Sequence, residues 1–258
     1  MQEIEFKFQV PVKKRKALQK AFTLLKAEPI HLAAQYFDTA DQTLAKHCIA
    51  IRRRQENDEW KQTFKAVDTA KVLSRLELEF DIAPPETTTL DLDNYKDYSA
   101  IYKKLKRALG LPLPTLELLF ETNIQRLRIL QDVGNSTVEI ALDIGKIFEE
   151  QNSVDIFEIE FELKQGSIED LIAFIQPWIQ KYQLTLDTHS KSDYGLLAVR
   201  QQSSFSAQYQ TPLVLNRSSS EVEALQSIMA NCLQHLLPNA SSIARQQYSS
   251  EHVHQEIG

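Results

Sequence analysis

Carboxylates recur at every second position in several segments of this sequence, and Arg and Lys do so in others. Glu3, Glu5 and Lys7 alternate with Ile4, Phe6 and Phe8, and Glu158, Glu160 and Glu162 alternate with Phe157, Ile159, Phe161 and Leu163. Arg75, Glu77 and Glu79 alternate with Leu76, Leu78 and Phe80, and Glu139, Ala141 and Asp143 with Ile140, Leu142 and Ile144. The cationic rows are Arg52 with Arg54, Lys61 with Lys65 across Thr63, and Arg126 with Arg128. A strand sends successive side chains to opposite faces, so each segment has one ionised face and one apolar face. On a single strand this is the ordinary pattern of a sheet with one side in water. Repeated across the set it is not, because like charges stacked along a strand repel and call for counter-ions or ligands. Carboxylate rows suit a hard cation such as Mg²⁺ or Mn²⁺. Arg and Lys rows suit phosphate oxygens, with Arg able to make two contacts at once. A metal-bound polyphosphate needs both.

The elements that must carry these rows read clearly. Residues 12–26 place Ala17, Leu18, Ala21, Phe22 and Leu25 at helical spacing with lysines opposite. Strand patterns follow at 33–39, 48–55, 59–66 and 74–82, with a hairpin turn expected between 55 and 60. Residues 98–109 form a helix stopped by Gly110, with Pro112 and Pro114 beyond. Three more strands are expected at 115–131, 136–147 and 154–164. A helix capped by Ser167 and Asp170 and kinked at Pro177 follows, then a short helix near 192–201. Residues 201–217 lose periodicity and read as a linker. The next helix opens with a Ser220/Glu223 capping box and is expected to stop at Pro238.

The strands number about eight, enough to close a barrel. The expected fold is therefore α+β: a closed eight-stranded antiparallel β-barrel, helices outside, charged faces lining a tunnel, and a short helical C-terminal segment. Among 258 residues, 43% apolar and 25% charged residues fit a soluble globular protein. The net charge of −6 gives no reason to expect nucleic-acid or anionic-membrane binding. Cys48 and Cys232 form neither a disulfide framework nor a metal spacing, which favours a reducing compartment. With no leader pattern and no apolar run near membrane length, the expected location is the cytoplasm. The six histidines read as surface or helix residues rather than catalytic ones.

The order of the motifs resembles the CYTH superfamily, the triphosphate tunnel metalloenzymes. Glu3-x-Glu5-x-Lys7 resembles its ExExK motif, and "YFDT", "IAIRRR", "EWKQTFK", "SRLELEF", "FETNIQR", "EIALDIG", "FEIEFELKQG" and "HSKSDYG" follow in the family's order over roughly residues 1–200. The resemblance implies a tunnel that binds inorganic triphosphate with Mg²⁺ or Mn²⁺. It implies metal ligation by Glu3, Glu5, Glu158 and Glu160, with Asp143 near a second ion. Phosphate contacts fall to Lys7, Arg52, Arg54, Lys65, Arg126 and Lys191, with Arg128 as an alternative to Arg126. Glu5, Lys7, Arg54 and Asp143 are the residues expected at the reaction, a metal-assisted in-line transfer of the terminal phosphoryl group to water. Glu77, Glu79 and Glu162 share the inward parity.

Residues 218–258 resemble the opening of a CHAD domain, with His254 at that family's early histidine, but without the basic helix that would contact polyphosphate. The expected organisation is a tunnel domain over 1–200, a linker over 201–217 and a partial CHAD-like segment over 218–258. The expected activity is inorganic triphosphatase. A class IV adenylyl cyclase, a thiamine or nucleoside triphosphatase, and a non-enzymatic polyphosphate-binding module are the alternatives.

Overall fold

A computed structural model of the chain describes residues 2–67, 75–149, 152–216 and 218–247, with the side chains of residues 2, 3, 67 and 75 outside the description. The chain begins with β1 (Gln2–Glu3) and β2 (Glu5–Gln9), then α1 (Val12–Leu24), β3 (Glu28–Asp38) and the short α2 (Thr43–Lys46). A meander follows: β4 (Ile49–Glu56), β5 (Glu59–Val67), β6 (Arg75–Ile82) and the two-residue β7 (Thr89–Leu90). After α3 (Ser99–Leu109) come three long strands, β8 (Leu116–Val133), β9 (Ser136–Glu149) and β10 (Asn152–Gln165). The chain continues through α4 (Ile168–Tyr182), β11 (Thr185–Leu186), α5 (Lys191–Val199) and α6 (Glu221–Ala244).

The strands form one antiparallel sheet in the order β1-β6-β5-β4-β3-β8-β9-β10-β2-β11, with β7 beside β8. This path differs from the expected ring of eight strands in two ways. Two short strands, β7 and β11, join the sheet, and the N-terminal segment is divided at Ile4. Its first part pairs with β6 (Gln2 opposite Leu76) and its second with β10 (Phe6 opposite Phe161). The Ile4 carbonyl still accepts from the Leu163 amide at 3.0 Å.

The alternation read from the sequence decides which face is covered. Phe8, Ile140, Leu142, Ile159 and Phe161 turn outward and are buried by Leu18 and Phe22 of α1 and Leu171 and Ile175 of α4. Phe161 meets Phe8, Phe174 and Trp178 edge-on, with ring centres 5.6–6.2 Å apart. Burying such a side chain contributes roughly 1.5–3 kcal/mol. A second cluster joins Phe37, Ile51 and Phe64 to Leu44 of α2, Tyr95, and Ile101 and Leu105 of α3. With helices on these outer faces, the ionised faces are left to each other.

Local signals place the turns and ends. Asn57, at φ 55°, makes the two-residue turn between β4 and β5. Ser167 caps α4 by accepting from the Asp170 amide, and α4 runs through Pro177. Ser220 and Glu223 form the expected capping box of α6. That helix does not stop at Pro238. It continues six residues further, to Ala244. Asn239 Nδ2 donates to His235 O, Ser241 Oγ to Leu237 O and Ser242 Oγ to Pro238 O. α6 packs by its polar side: Asn239, Ser241 and Ser242 are buried, while Val222, Leu225 and Met229 are exposed. The "EHVHQ" stretch with His254 lies outside the described residues.

Candidate functional site

The ionised faces surround a cavity of about 860 Å³. Among the described residues, acidic and basic side chains line it in equal numbers, so it is not a simple anion trap. Glu5, Lys7, Arg52, Arg54, Lys65, Arg126, Asp143 and Glu160, from the alternating strands, all reach its wall, and so does Lys191 from the start of a helix. Glu158 lies just behind the lining, and the side chain of Glu3 lies outside the described residues.

Strand register builds one wall. Arg126 of β8 stands opposite Asp143 of β9, and Asp143 opposite Glu158 of β10. The next inward row sets Glu160 opposite Lys7 of β2, and the one after it sets Glu162 opposite both Glu5 and Glu139. Carboxylate oxygens of Asp143, Glu158 and Glu160 lie within 4.8 Å of one another. Asp143 therefore shares one cluster with the two glutamates. Three hard oxygen donors this close, on rigid strands, fit Mg²⁺ or Mn²⁺ by donor chemistry. Glu158 Oε1 is buried and faces only the Lys191 ammonium, so it has no neutral hydrogen-bond donor to satisfy it.

Here the cluster is balanced by cations. Arg126 makes a two-pronged contact with Asp143, at 2.7 Å for each prong, and also reaches Glu160. The Lys191 ammonium sits among all three acids, 2.7 Å from Asp143, 2.5 Å from Glu158 and 2.8 Å from Glu160. Burial alone would lower its pKa, but Asp143, Glu158 and Glu160 outweigh that and hold it well above the usual lysine value. Burial would likewise raise Glu160, yet Lys191 and Arg126 keep it well below the ordinary carboxylate range. Asp143 is lowered in the same way, burial being outweighed by Arg126 and Lys191.

Lys191 arrives through local sequence. Ser190 caps α5 and forms a capping box with Asp193, which places Lys191 at the first helical position. A cation there opposes the helix dipole at a cost of about 0.3–1 kcal/mol, which the three carboxylates outweigh. Gly195 lets α5 approach the sheet: a Cβ at that position would lie 2.2 Å from the Phe120 ring. Gly195 thus seats α5 against β8, and Lys191 ties the start of the same helix to β9 and β10.

The opposite wall is cationic. Arg52 Nε donates to Thr63 Oγ1 at 3.4 Å and its Nη1 to the Tyr36 hydroxyl at 3.3 Å. Arg54 pairs with Glu79 at 3.1 Å and Glu56 at 3.3 Å, while its buried Nε finds no hydrogen-bond partner. Burial, then the neighbouring Arg52, lowers the Arg54 pKa. Lys65 meets Glu77 at 2.9 Å, and Lys61 meets Glu79 at 3.6 Å. Arg128 also lines the cavity but pairs with Glu28 at 2.7 Å, so Arg126 is the one joined to the acidic cluster.

Some site residues escape sequence reasoning. Glu139, buried and 3.6 Å from Lys164, carries the inward parity, which alone does not mark it as a site residue. Asp187 pairs with Lys7 at 3.5 Å, and no alternating pattern marks it. His189 is not a surface residue. It is half-buried, stacks on Phe205 at 3.8 Å, and burial lowers its pKa.

The CYTH domain family's profile matches residues 1–193. An inorganic triphosphatase of Haemophilus influenzae is 32% identical over 201 residues, covering 76% of this chain and 55% of that protein. The chain thus spans about half the length of that relative. Among solved structures, a provisional adenylate cyclase from Bacillus halodurans superposes with a TM-score of 0.51 at 20% identity, over 74% of this chain and 96% of that one. HpAC1 from Hippeastrum, studied as an adenylyl cyclase and found to have dominant triphosphatase activity, gives 0.51 at 18% identity, over 76% and 96%. At such identities these likenesses concern the fold, an α+β arrangement on a large antiparallel sheet. No helix among the described residues is long and apolar enough to cross a membrane.

Proposed function

Because the chain belongs to the CYTH family, we propose that it hydrolyses inorganic triphosphate to pyrophosphate and phosphate with the help of Mg²⁺ or Mn²⁺. The observation that carries this reading is one cavity with a carboxylate cluster on one wall and partly unsatisfied guanidinium groups on the other. A simple phosphate-binding surface has no use for three converging buried acids. The Haemophilus relative's activity and the dominant activity of HpAC1 support the same reaction.

In this reading β1 and β2 act as one strand, and the sheet closes as an eight-stranded tunnel of β1/β2, β3, β4, β5, β6, β8, β9 and β10. Pairing of the N-terminal strand on both sides supports closure. Residues 1–200 are then the tunnel unit, and 218–258 begin a CHAD-like segment.

Asp143, Glu158 and Glu160 would hold the divalent ion, with Glu5 and Glu3 completing the acidic set. A bound ion supplies Lewis-acid polarisation of phosphate oxygens. Arg52 uses two of its five donors on Thr63 and Tyr36, leaving others for phosphate oxygens. Arg54 offers its unsatisfied Nε, and Lys65, Lys7, Arg126 and Lys191 add charge along the cavity. Together they hold the chain of phosphates and stabilise the charge that develops on its terminal group. Water attacks the terminal phosphorus in line, the bond to the bridging oxygen breaks, pyrophosphate leaves, and a proton passes to solvent. No nucleophilic side chain takes part.

The test is phosphate release from tripolyphosphate, ATP, thiamine triphosphate and pyrophosphate, each with Mg²⁺, Mn²⁺ and EDTA. The expected result is tripolyphosphate far ahead of the others and little turnover in EDTA. Cyclic nucleotide and pyrophosphate from ATP would replace this reading with a cyclase. Retention of tripolyphosphate without turnover would leave a binding module.

A further inference from the structure

We propose that Asp187 is a positioning residue for Lys7, and that the end of α6 is a working part of the site through Arg245. The proposal rests on the phosphate-binding role given above to Lys7.

A lysine on a strand carries a long, flexible stem, and fixing it costs rotamer freedom. Lys7 is nevertheless buried, with its ammonium committed in three directions. It donates to the His189 carbonyl, it donates to Glu158 Oε2 at 3.3 Å, and it stands 3.5 Å from Asp187 Oδ2. The Asp187 amide also donates to the Lys7 carbonyl at 2.8 Å, so the two residues are tied by backbone as well as charge. Of the two acids on Lys7, only Glu158 belongs to the carboxylate cluster. Asp187 is therefore the anchor that stays when Glu158 turns to a divalent ion, and the released N–H of Lys7 is then free for a phosphate oxygen.

Asp187 is itself rigidly held. The Tyr194 hydroxyl donates to its two oxygens at 2.9 and 3.1 Å, and the His189 amide donates at 3.0 Å. Burial, then the adjacent Asp187, pushes ionisation of Tyr194 upward, so the hydroxyl remains a donor. Arg245 covers this arrangement from α6. Its guanidinium lies 4.0 Å from the Tyr194 ring centre and 3.9 Å from Asp187, and it donates to Asp155 O at 2.7 Å.

The same end of α6 holds the backbone around Asp187. Ser241 Oγ lies 3.2 Å from Leu186 O and accepts from the Thr188 amide at 3.0 Å, and Gln9 Nε2 donates to Ser241 O at 3.0 Å. A helix that served only as a spacer would have no reason to bury serines against strands β2 and β11.

The experiment is a double-mutant cycle on the full chain: wild type, Asp187→Asn, Lys7→Gln and the double variant. Each is measured for tripolyphosphate hydrolysis with Mg²⁺, for tripolyphosphate binding by calorimetry in EDTA, and for melting temperature. Asp187→Asn keeps the shape and loses the charge. In the wild-type background it is expected to cost about tenfold in kcat/KM, the lower end of what outer partners of such sites are worth. In the Lys7→Gln background it is expected to cost less than about twofold, because the effect runs through Lys7. Equal losses in both backgrounds, or no loss in the wild type, overturn the proposal. If Asp187→Asn does not fold, Tyr194→Phe tests the same cycle with the ring retained, and Arg245→Lys should restore what Arg245→Gln loses. A wild type that binds tripolyphosphate without hydrolysing it, with the cycle preserved in the binding data, counts against the reaction and leaves the positioning role standing. A wild type that neither binds nor hydrolyses tripolyphosphate removes the phosphate role of Lys7, and the positioning proposal falls with it.

Discussion

The two walls of the cavity carry the same kinds of charge and treat them differently. On the wall made by β2, β8, β9 and β10, Asp143 and Glu158 are fully buried and Lys7 nearly so. On the wall made by β4, β5 and β6, Lys61, Lys65 and Glu79 keep about a quarter of their side-chain surface exposed, at 25%, 24% and 28%. Buried charges interact strongly but leave a large penalty when one partner is lost. Half-wet pairs gain little and break easily. The acid wall is thus a rigid holder whose charges cannot be left unbalanced. The cation wall is a surface whose pairs can be traded for a ligand.

The sharpest way to break that contrast is Glu158→Gln. Lys7 and Lys191 would lose part of their counter-charge in a dry place, and stability to urea should fall by about 3–5 kcal/mol. Mn²⁺, expected to raise the wild-type melting temperature, should no longer do so in the variant. Wild-type stability in Glu158→Gln would erase the distinction between the walls. Arg54→Ala should behave in the opposite manner. It should cost less stability than Glu158→Gln, because its partners Glu56 and Glu79 stay partly exposed, while KM for tripolyphosphate rises by the equivalent of about 1.5–3 kcal/mol per lost charged hydrogen bond. An unaltered KM and kcat would remove Arg54 from the phosphate contacts.

The contrast also explains how much could be read in advance. Period-two alternation is a local property, so the inward placement of Arg52, Arg54, Lys65, Arg126, Asp143 and Glu160 was legible strand by strand. Register then follows from which faces must be buried, since a slip of one residue would turn Phe161 inward and Glu160 out. Depth was not legible. Nothing in the letters separates the buried Glu158 from the wetter Glu79, because that depends on which helix caps which end of the cavity. Nor could the sequence show that Lys191 sits among the acids, or that Asp187 meets Lys7 under the cover of Tyr194 and Arg245, since those contacts join separate elements that no local pattern relates. Pro238 misled for a related reason. Proline is a local stop signal, but the helix runs through it, and the turns beyond it are held to Gln9 and Thr188 by contacts that no local pattern shows.

A finer probe of the cation wall is Lys65→Ala. Its 2.9 Å pair with Glu77 is cross-strand and partly wet, so the loss of stability should be only about 0.2–1 kcal/mol. The larger signature should lie in binding. With one cation fewer in the cavity, tripolyphosphate affinity should fall and respond less steeply to added salt. Titrations at several KCl concentrations measure this, and an unchanged salt response would mean that Lys65 serves only Glu77.

The smallest effect expected is also the most direct reading of how wet the cation wall is. Burial would raise the Glu79 carboxyl, but Arg54, Arg52 and the Thr63 hydroxyl outweigh it and hold the group below its ordinary value of 4.5. The folded protein then takes up a proton at Glu79 less readily than the unfolded chain does. The stability Glu79 contributes is therefore complete above about pH 4.5 and is lost as pH falls from there toward the lowered folded value. Because the group is partly exposed, screening keeps that contribution below about 1 kcal/mol. Urea unfolding of the wild type and Glu79→Gln should show a small gap at pH 7 that persists at pH 5 and narrows as pH falls below 4.5. A gap that stays constant down to pH 3 would mean the pair stabilises by packing rather than by charge. A gap of several kcal/mol at pH 7 would make the cation wall as dry as the acid one.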